Sequence, residues 1–139
     1  MTDLLSIIYV STALNPFIDE ELDALLADAR AFNKERAITG VLLYADGNFM
    51  QCLEGPADSV LRAYDRILAS HRHKGLIELN RSEIESRSFD SWEMGLLRPT
   101  KAEFISISNA VSLASPKDHS SVIAIEFMKS FINTMGAAK

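Results

Sequence analysis

The first half of the chain alternates between continuous apolar runs and a segment with helical periodicity. Apolar runs of strand length cover residues 4–11, 38–44 and 48–53. Because polar residues hardly interrupt them, these runs predict strands that are buried on both faces. Between the first two runs, an acidic trio at 19–21 opens a helix with apolar residues three to four apart, and Asn33 is predicted to close it.

Turn and breaker residues set the order of the remaining elements. Asp46-Gly47 predicts a hairpin between the second and third strands, and Gly55-Pro56 predicts the end of the third strand and the start of a second helix. Two further apolar segments, 76–84 and 92–97, are predicted strands. The resulting order, β-α-β-β-α-β-β, is the ferredoxin-like pattern with one extra strand. We therefore predict an α+β fold with a five-stranded mixed sheet and two helices on one face.

The other face of the sheet also needs cover, because strands buried on both faces must be packed against on both. The C-terminal part of the chain supplies a broad apolar helical surface that Ser115-Pro116 can cap and Gly136 can end. This surface comprises Val122, Ile125, Phe127, Met128, Phe131, Ile132 and Met135. We divide the chain into a sheet-containing domain at 1–98 and a helical extension at 99–139 that packs on the sheet. The same surface also suits an arm that binds a partner, and the two interpretations are compatible.

Composition and charge narrow the function classes. With 139 residues, 47% hydrophobic and 24% charged, the chain has the balance of one globular domain. Its net charge of -5 argues against a nucleic-acid or anionic-membrane partner, and the basic run His71-Arg72-His73-Lys74 is interpreted as a helix C-terminus. No apolar run approaches membrane-spanning length. The single cysteine, Cys52, and an N-terminus without a signal-peptide pattern favour a cytoplasmic protein.

Three polar residues do not fit the apolar pattern around them. Gln51 shares one face of its strand with Phe49 and Leu53, and Tyr9 lies on an apolar face of the first strand. A buried amide without partners costs about 1–3 kcal/mol, so both side chains are expected to form hydrogen bonds, and they could do so with each other on adjacent strands. Asn33 adds a second amide. From the residues alone, this set is either a satisfied polar group in the core or a ligand site, and no triad, metal-ligand spacing or phosphate loop accompanies it.

A series of short motifs between about Leu4 and Arg98 occurs in a specific order and spacing. The motifs are Tyr9-Val10-Ser11, Asn33, Ile38-Thr39-Gly40-Val41-Leu42-Leu43-Tyr44, Phe49-Met50-Gln51-Cys52-Leu53-Glu54-Gly55, Arg72-His73, Arg87-Ser88-Phe89 and Trp92-Glu93-Met94. With these motifs the chain resembles the BLUF domain, a blue-light sensor that uses FAD. It departs from the family pattern at Val10, where arginine is frequent, at Phe32, where a polar residue or histidine is common, and at Cys52, which replaces a more usual aliphatic residue.

The resemblance implies a position for the cofactor and roles for the residues around it. The isoalloxazine ring of FAD would lie between the first two helices, over Tyr9 and Gln51, with Asn33 and Arg72 at its pyrimidine edge. The predicted cofactor-binding residues are Tyr9, Phe32, Asn33, Ile38, Gln51, Arg72 and His73. Trp92 and Met94, on one face of the last strand, would respond to changes at the glutamine. No metal is expected.

The resemblance also implies a mechanism and a mode of output. Light would drive an electron and a proton from Tyr9 to the flavin and back, leaving Gln51 rotated or tautomerised as the lasting change. Without an effector domain in the sequence, the chain is expected to be a receptor and not an enzyme, acting through a downstream signalling protein and through homo-oligomerisation. Two alternatives stay open: a small flavin-dependent redox enzyme, and a ferredoxin-like regulatory module that binds no flavin.

Overall fold

The computed structural model describes residues 3–15, 17–89 and 94–112. Within these ranges the chain forms five strands and three helices in the predicted order. The elements are β1 (Leu4–Ala13), α1 (Asp19–Glu35), β2 (Thr39–Ala45), β3 (Asn48–Pro56), α2 (Ala57–Leu68), β4 (His73–Ile84), β5 (Gly95–Leu97) and α3 (Lys101–Ser112). The helix predicted around Val122–Met135, its cap at Ser115-Pro116 and its end at Gly136 lie outside the described residues.

The five strands form one sheet in the order β4-β1-β3-β2-β5. The neighbouring strands are antiparallel except β2 and β5, which run parallel. The predicted α+β, ferredoxin-like architecture with a five-stranded mixed sheet is therefore confirmed. This order places β1 beside β3, and their register sets Tyr9 directly opposite Gln51. The two misfit polar residues thus become direct cross-strand neighbours at the centre of the sheet.

The sheet carries a hydrophobic core on each face, as its uninterrupted apolar strands predict. On one face, α1 and α2 pack Leu22, Leu26 and Val60 against strand residues such as Ile7 and Leu53. On the other face, the packing against the strands comes from α3, which contributes Phe104 and Ile107 to a core around Ile8, Met50 and Cys52. The first turns of the C-terminal region therefore pack on the sheet, while the boundary between a domain at 1–98 and an extension at 99–139 stays a prediction.

Two predicted boundaries are wrong. The first helix does not end at Asn33 but continues to Glu35. The Asn33 carbonyl accepts hydrogen bonds from the backbone N–H groups of Arg36 and Ile38, and these bonds turn the chain after Glu35. The basic run is not a helix C-terminus. The second helix ends at Leu68, and His73 and Lys74 begin β4, since both residues pair with β1.

Candidate functional site

A cavity of about 320 Å³ opens between α1, α2 and the sheet. Its floor consists of side chains from β1, β2 and β3, and its walls come from the two helices and from the segment that joins α2 to β4. The lining residues are Tyr9, Ser11, Phe17, Leu25, Asp28, Ala29, Phe32, Asn33, Leu42, Phe49, Gln51, Leu53, Ala63, Arg66, Ile67, Ser70, Arg72 and His73. Its size, and the combination of apolar side chains with convergent polar groups in its lining, are typical of small-molecule sites.

A chain of three hydrogen-bonded side chains begins in the floor of this cavity, with Tyr9 and Gln51, and continues beyond it to Met94. The Tyr9 hydroxyl donates a hydrogen bond to Gln51 Oε1 at 2.5 Å, and Gln51 Nε2 donates to the Met94 sulfur at 3.4 Å. All three side chains are buried. Burial, with a smaller contribution from Tyr64, raises the pKa of the Tyr9 phenol far above its ordinary value. Tyr9 therefore stays a neutral phenol, and the Gln51 amide is fixed with its oxygen toward Tyr9 and its nitrogen toward Met94.

Three residues that line the cavity each have a buried polar atom without a hydrogen-bond partner in the described part of the chain: Ser11 Oγ, Asn33 Nδ2 and His73 Nδ1. His73 Nε2 lies 2.8 Å from the Ile67 carbonyl oxygen, so this nitrogen carries the proton in the neutral ring and Nδ1 is an acceptor. A buried polar group without a hydrogen-bond partner lowers the stability of the folded protein. A ligand with both donors and acceptors would satisfy them, and the pyrimidine edge of a flavin carries carbonyl oxygens beside an N–H. The residues present therefore fit the predicted cofactor.

The structure brings most of the predicted site residues to one cavity. Tyr9, Phe32, Asn33, Gln51, Arg72 and His73 all line it. Ile38 is fully buried in the helix-side core but does not line the cavity, because its backbone is held under the end of α1 by the Asn33 carbonyl. Met94 contacts Gln51 without lining the cavity, and Trp92 lies outside the described residues. The roles of these residues toward a flavin stay predictions.

Sequence reasoning missed several lining residues. Ser11 could have been found, because it lies two residues after Tyr9 and therefore shares its face of β1. The charged side chains beside Phe32 could not have been found in this way. The guanidinium carbons of Arg36 and Arg66 lie 3.7 and 3.9 Å from the centroid of the Phe32 ring, and Arg66 also pairs with Asp28 at 3.3 Å. The Arg66–Asp28 ion pair joins α1 to α2 across the cavity. It depends on how the two helices are placed, which no local sequence pattern determines.

Neither a group of metal-binding side chains nor a membrane-spanning helix is found in the described residues. Over 3–15, 17–89 and 94–112, no three histidine, cysteine or acidic side chains are grouped so that they could hold a metal ion. None of the helices described in those ranges is long and apolar enough to cross a membrane.

Comparison with known proteins identifies the family to which this cavity and its hydrogen-bonded floor belong. Residues 4–95 match the family described as BLUF, sensors of blue-light using FAD. The chain belongs to the BLUF family. The match covers the first four strands, the cavity and the first residue of β5. The resemblance predicted from the motifs is therefore confirmed, and with it FAD as the cofactor of the family.

BLUF relatives include both long and short proteins. The chain is 34% identical over 90 residues to the photoactivated adenylate cyclase subunit beta of Euglena gracilis, a match that covers 65% of this chain and 10% of that protein. It is 29% identical over 93 residues to the blue light- and temperature-regulated antirepressor BluF of Escherichia coli, covering 67% of this chain and 23% of that protein. The matched region is therefore a small part of these curated relatives.

A solved structure of similar length shares the fold. The photo-activated state of BlsA superposes with a TM-score of 0.73 at 26% identity, covering 91% of this chain and 94% of that one. BlrP1 of Klebsiella pneumoniae with FMN and cyclic diGMP superposes with a TM-score of 0.67 at 27% identity, covering 96% of this chain and 35% of that chain. The fold thus occurs both in a short BLUF protein and as one part of a larger one.

Proposed function

We propose that this protein is a blue-light receptor that holds FAD in the cavity between α1 and α2 and uses Gln51 as a hydrogen-bond switch. The observation that carries the proposal is the hydrogen-bonded chain that leads from Tyr9 and Gln51 at the cavity floor to Met94. It connects an oxidisable phenol, an amide that can exchange its donor and acceptor ends, and the residue that leads into β5. Such a connection converts a local chemical event into a change at the edge of the sheet.

The bound flavin supplies absorption of blue light and an electron acceptor. The protein supplies the rest of the mechanism. Tyr9, kept as a neutral phenol by burial, can give up an electron to the bound flavin together with the hydroxyl proton that it shares with Gln51 Oε1. Both would return to Tyr9 before the light state is complete, so that no net oxidation remains and the lasting change is the reorientation of Gln51. Reorientation of the amide would turn Nε2 toward Tyr9 and Oε1 toward the Met94 sulfur. The sulfur is only a weak acceptor and has no proton to donate, so the Gln51–Met94 hydrogen bond would be lost.

We assign the output to protein contacts and assign no catalytic reaction to this chain. Cys52 cannot serve as a redox partner of the flavin, because it is fully buried on the opposite face of the sheet, where burial raises the pKa of its thiol. The downstream signalling protein and the homo-oligomer inferred from sequence remain part of the proposal, as does a cytoplasmic location, which a lone cysteine favours.

An absorption spectrum before and after blue light tests the proposed function. We expect the purified protein to carry a flavin whose spectrum shifts slightly to the red under blue light and recovers in the dark. Tyr9→Phe should keep the flavin and lose the shift, because the ring is retained while the proton donor is removed. A colourless protein that takes up no added FAD would contradict the receptor function. Reduction of the flavin by added NAD(P)H would favour the redox-enzyme alternative instead.

Removal of the residues after about Leu113 tests the output. We expect this truncation to preserve the red shift, because the cavity-lining residues found in the described part of the chain lie between positions 9 and 73. We expect it to disrupt self-association or solubility, because it removes the apolar helical surface predicted in 122–135. Size-exclusion chromatography with light scattering, in the dark and under light, measures this. An unchanged oligomer would count against the C-terminal region as the output element.

A further inference from the structure

Two side-chain contacts join α1 to β5 and the residues that flank it. Arg30 Nε donates to the Met94 carbonyl oxygen at 3.0 Å, and Arg98 pairs with Asp19 at 2.8 Å. Positions 19 and 30 are about 16 Å apart along a helix with a rise of about 1.5 Å per residue. Positions 94 and 98 are about 13 Å apart along an extended chain. The similar spacing means that α1 lies alongside β5 and is joined to the chain near both of its ends.

These two contacts differ in environment. The Asp19 and Arg98 side chains are 81% and 48% exposed, and such ion pairs contribute little. The Arg30 contact is half-buried and uses a charged donor, which makes a stronger hydrogen bond. It also reaches the backbone of the residue directly before β5. Pairing of β5 with β2 begins at Gly95, one residue after Met94.

Met94 is thus held from two directions. Its side chain, which is almost fully buried, accepts a hydrogen bond from Gln51, and its backbone accepts one from Arg30. Arg30 does not line the cavity, so it has no part in building the flavin site. Of the two contacts, the one from Gln51 is expected to break when the amide reorients, whereas the one from Arg30 does not depend on the amide.

We propose that Arg30 is a positioning residue that holds Met94 in its dark-state place against Gln51, so that α1 sets how fast the light state returns to the dark state. This inference rests on the proposed function of Gln51. When the Gln51–Met94 bond is lost, the Arg30 bond still favours the original position of the Met94 backbone. Without Arg30, the free energy that draws Met94 back is smaller and the return is slower.

The test uses full-length protein with Arg30→Met and Arg30→Lys. Methionine keeps an unbranched apolar stem in place of the arginine stem but has no donor, whereas lysine keeps a positive donor with a different geometry. We expect both to bind flavin and to show the red shift. Arg30→Met should recover in the dark about fivefold more slowly, the factor expected for loss of one modest hydrogen bond, and Arg30→Lys should recover at an intermediate rate.

A second readout needs no light. Hydrogen exchange of the amides in 94–97, measured on the dark protein, should be faster in Arg30→Met, because the segment before β5 is less restrained. The matched control is Asp19→Asn, which removes the negative charge from the exposed ion pair with Arg98 at the other end of β5 and should leave recovery within about twofold, as expected for a surface ion pair.

The possible outcomes separate this inference from the proposed function. Parent-like recovery and exchange in Arg30→Met would overturn the role of Arg30, as would loss of flavin or an equal effect of Asp19→Asn. If the parent itself showed no red shift, the proposed function would fail, and the exchange in 94–97 would still decide whether Arg30 positions Met94.

Discussion

Replacement of Gln51 by leucine is expected to abolish the light-induced red shift while the flavin stays bound. Leucine has a similar size and suits a buried position between Phe49 and Leu53, so the sheet and the cavity should persist. The variant removes both hydrogen bonds of the switch at once: the Tyr9 hydroxyl loses its acceptor, and the Met94 sulfur loses its donor. No polar group remains at this position that could reverse its hydrogen-bond roles.

Light-minus-dark difference spectra measure the loss, and Met50→Leu is the matched control. Met50 precedes Gln51 on the same strand but belongs to the core on the opposite face of the sheet. A volume-conserving change there should cost less than about 1.5 kcal/mol and leave the red shift intact. If Gln51→Leu shifted and recovered like the parent, the amide would not be the switch, and the hydrogen-bond mechanism proposed above would be wrong.

Stability adds an independent check on the same hydrogen bond. Gln51→Leu leaves a buried Tyr9 hydroxyl without its acceptor, a loss of about 1–3 kcal/mol. The double variant with Tyr9→Phe removes both partners and should recover part of that loss, so the two changes will not be additive. Thermal unfolding of the parent, both single variants and the double variant measures the coupling free energy. Strict additivity would mean that Tyr9 and Gln51 do not interact.

Much of the site could be predicted from sequence because two simple periodicities place its central residues. Period two puts Gln51 on the same face as Phe49 and Leu53, and the ferredoxin-like order puts β1 beside β3. Together they indicate that Tyr9 and Gln51 share a face of the sheet. Their direct opposition depends on the register of the two strands, which the pattern of apolar residues alone does not determine, because a shift by two residues would preserve every face.

Contacts between distant segments could not be predicted in this way. Glu54 ends an apolar motif and has no local sign of burial, yet it is fully buried. Its carboxylate accepts hydrogen bonds from the Thr39 hydroxyl at 3.1 Å and from the backbone N–H groups of Ser88 and Phe89 at 2.9 and 2.5 Å. These donors lie up to 35 residues away in sequence. The hydrogen bond from Arg30 to the Met94 carbonyl also joins residues that are far apart in sequence. It depends on the placement of a helix over a sheet edge.

The close approach of β2 to β3 leads to the largest effect that we expect on stability. A methyl group on Gly40 would lie 1.9 Å from the Cys52 carbonyl oxygen, and Gly40 has a φ of +155°, which side-chain-bearing residues rarely adopt. The neighbour is backbone in the middle of the sheet, so it cannot move without displacing β3 and, with it, Gln51. We expect Gly40→Ala to lose about 3 kcal/mol or more of its free energy of unfolding and to bind flavin poorly.

Gly47→Ala is the matched control for this prediction. Gly47 also has a positive φ, +80°, but a methyl group there would meet nothing within 4 Å. Its substitution should therefore carry only the conformational cost of the left-handed backbone, about 1 kcal/mol, the cost usual for a non-glycine residue there. In thermal unfolding, Gly40→Ala should melt about 10 °C or more below the parent, well below Gly47→Ala. Equal melting temperatures for the two variants would show that β2 and β3 can separate at Gly40 without cost, and the rigid register that holds Gln51 opposite Tyr9 would then need another cause.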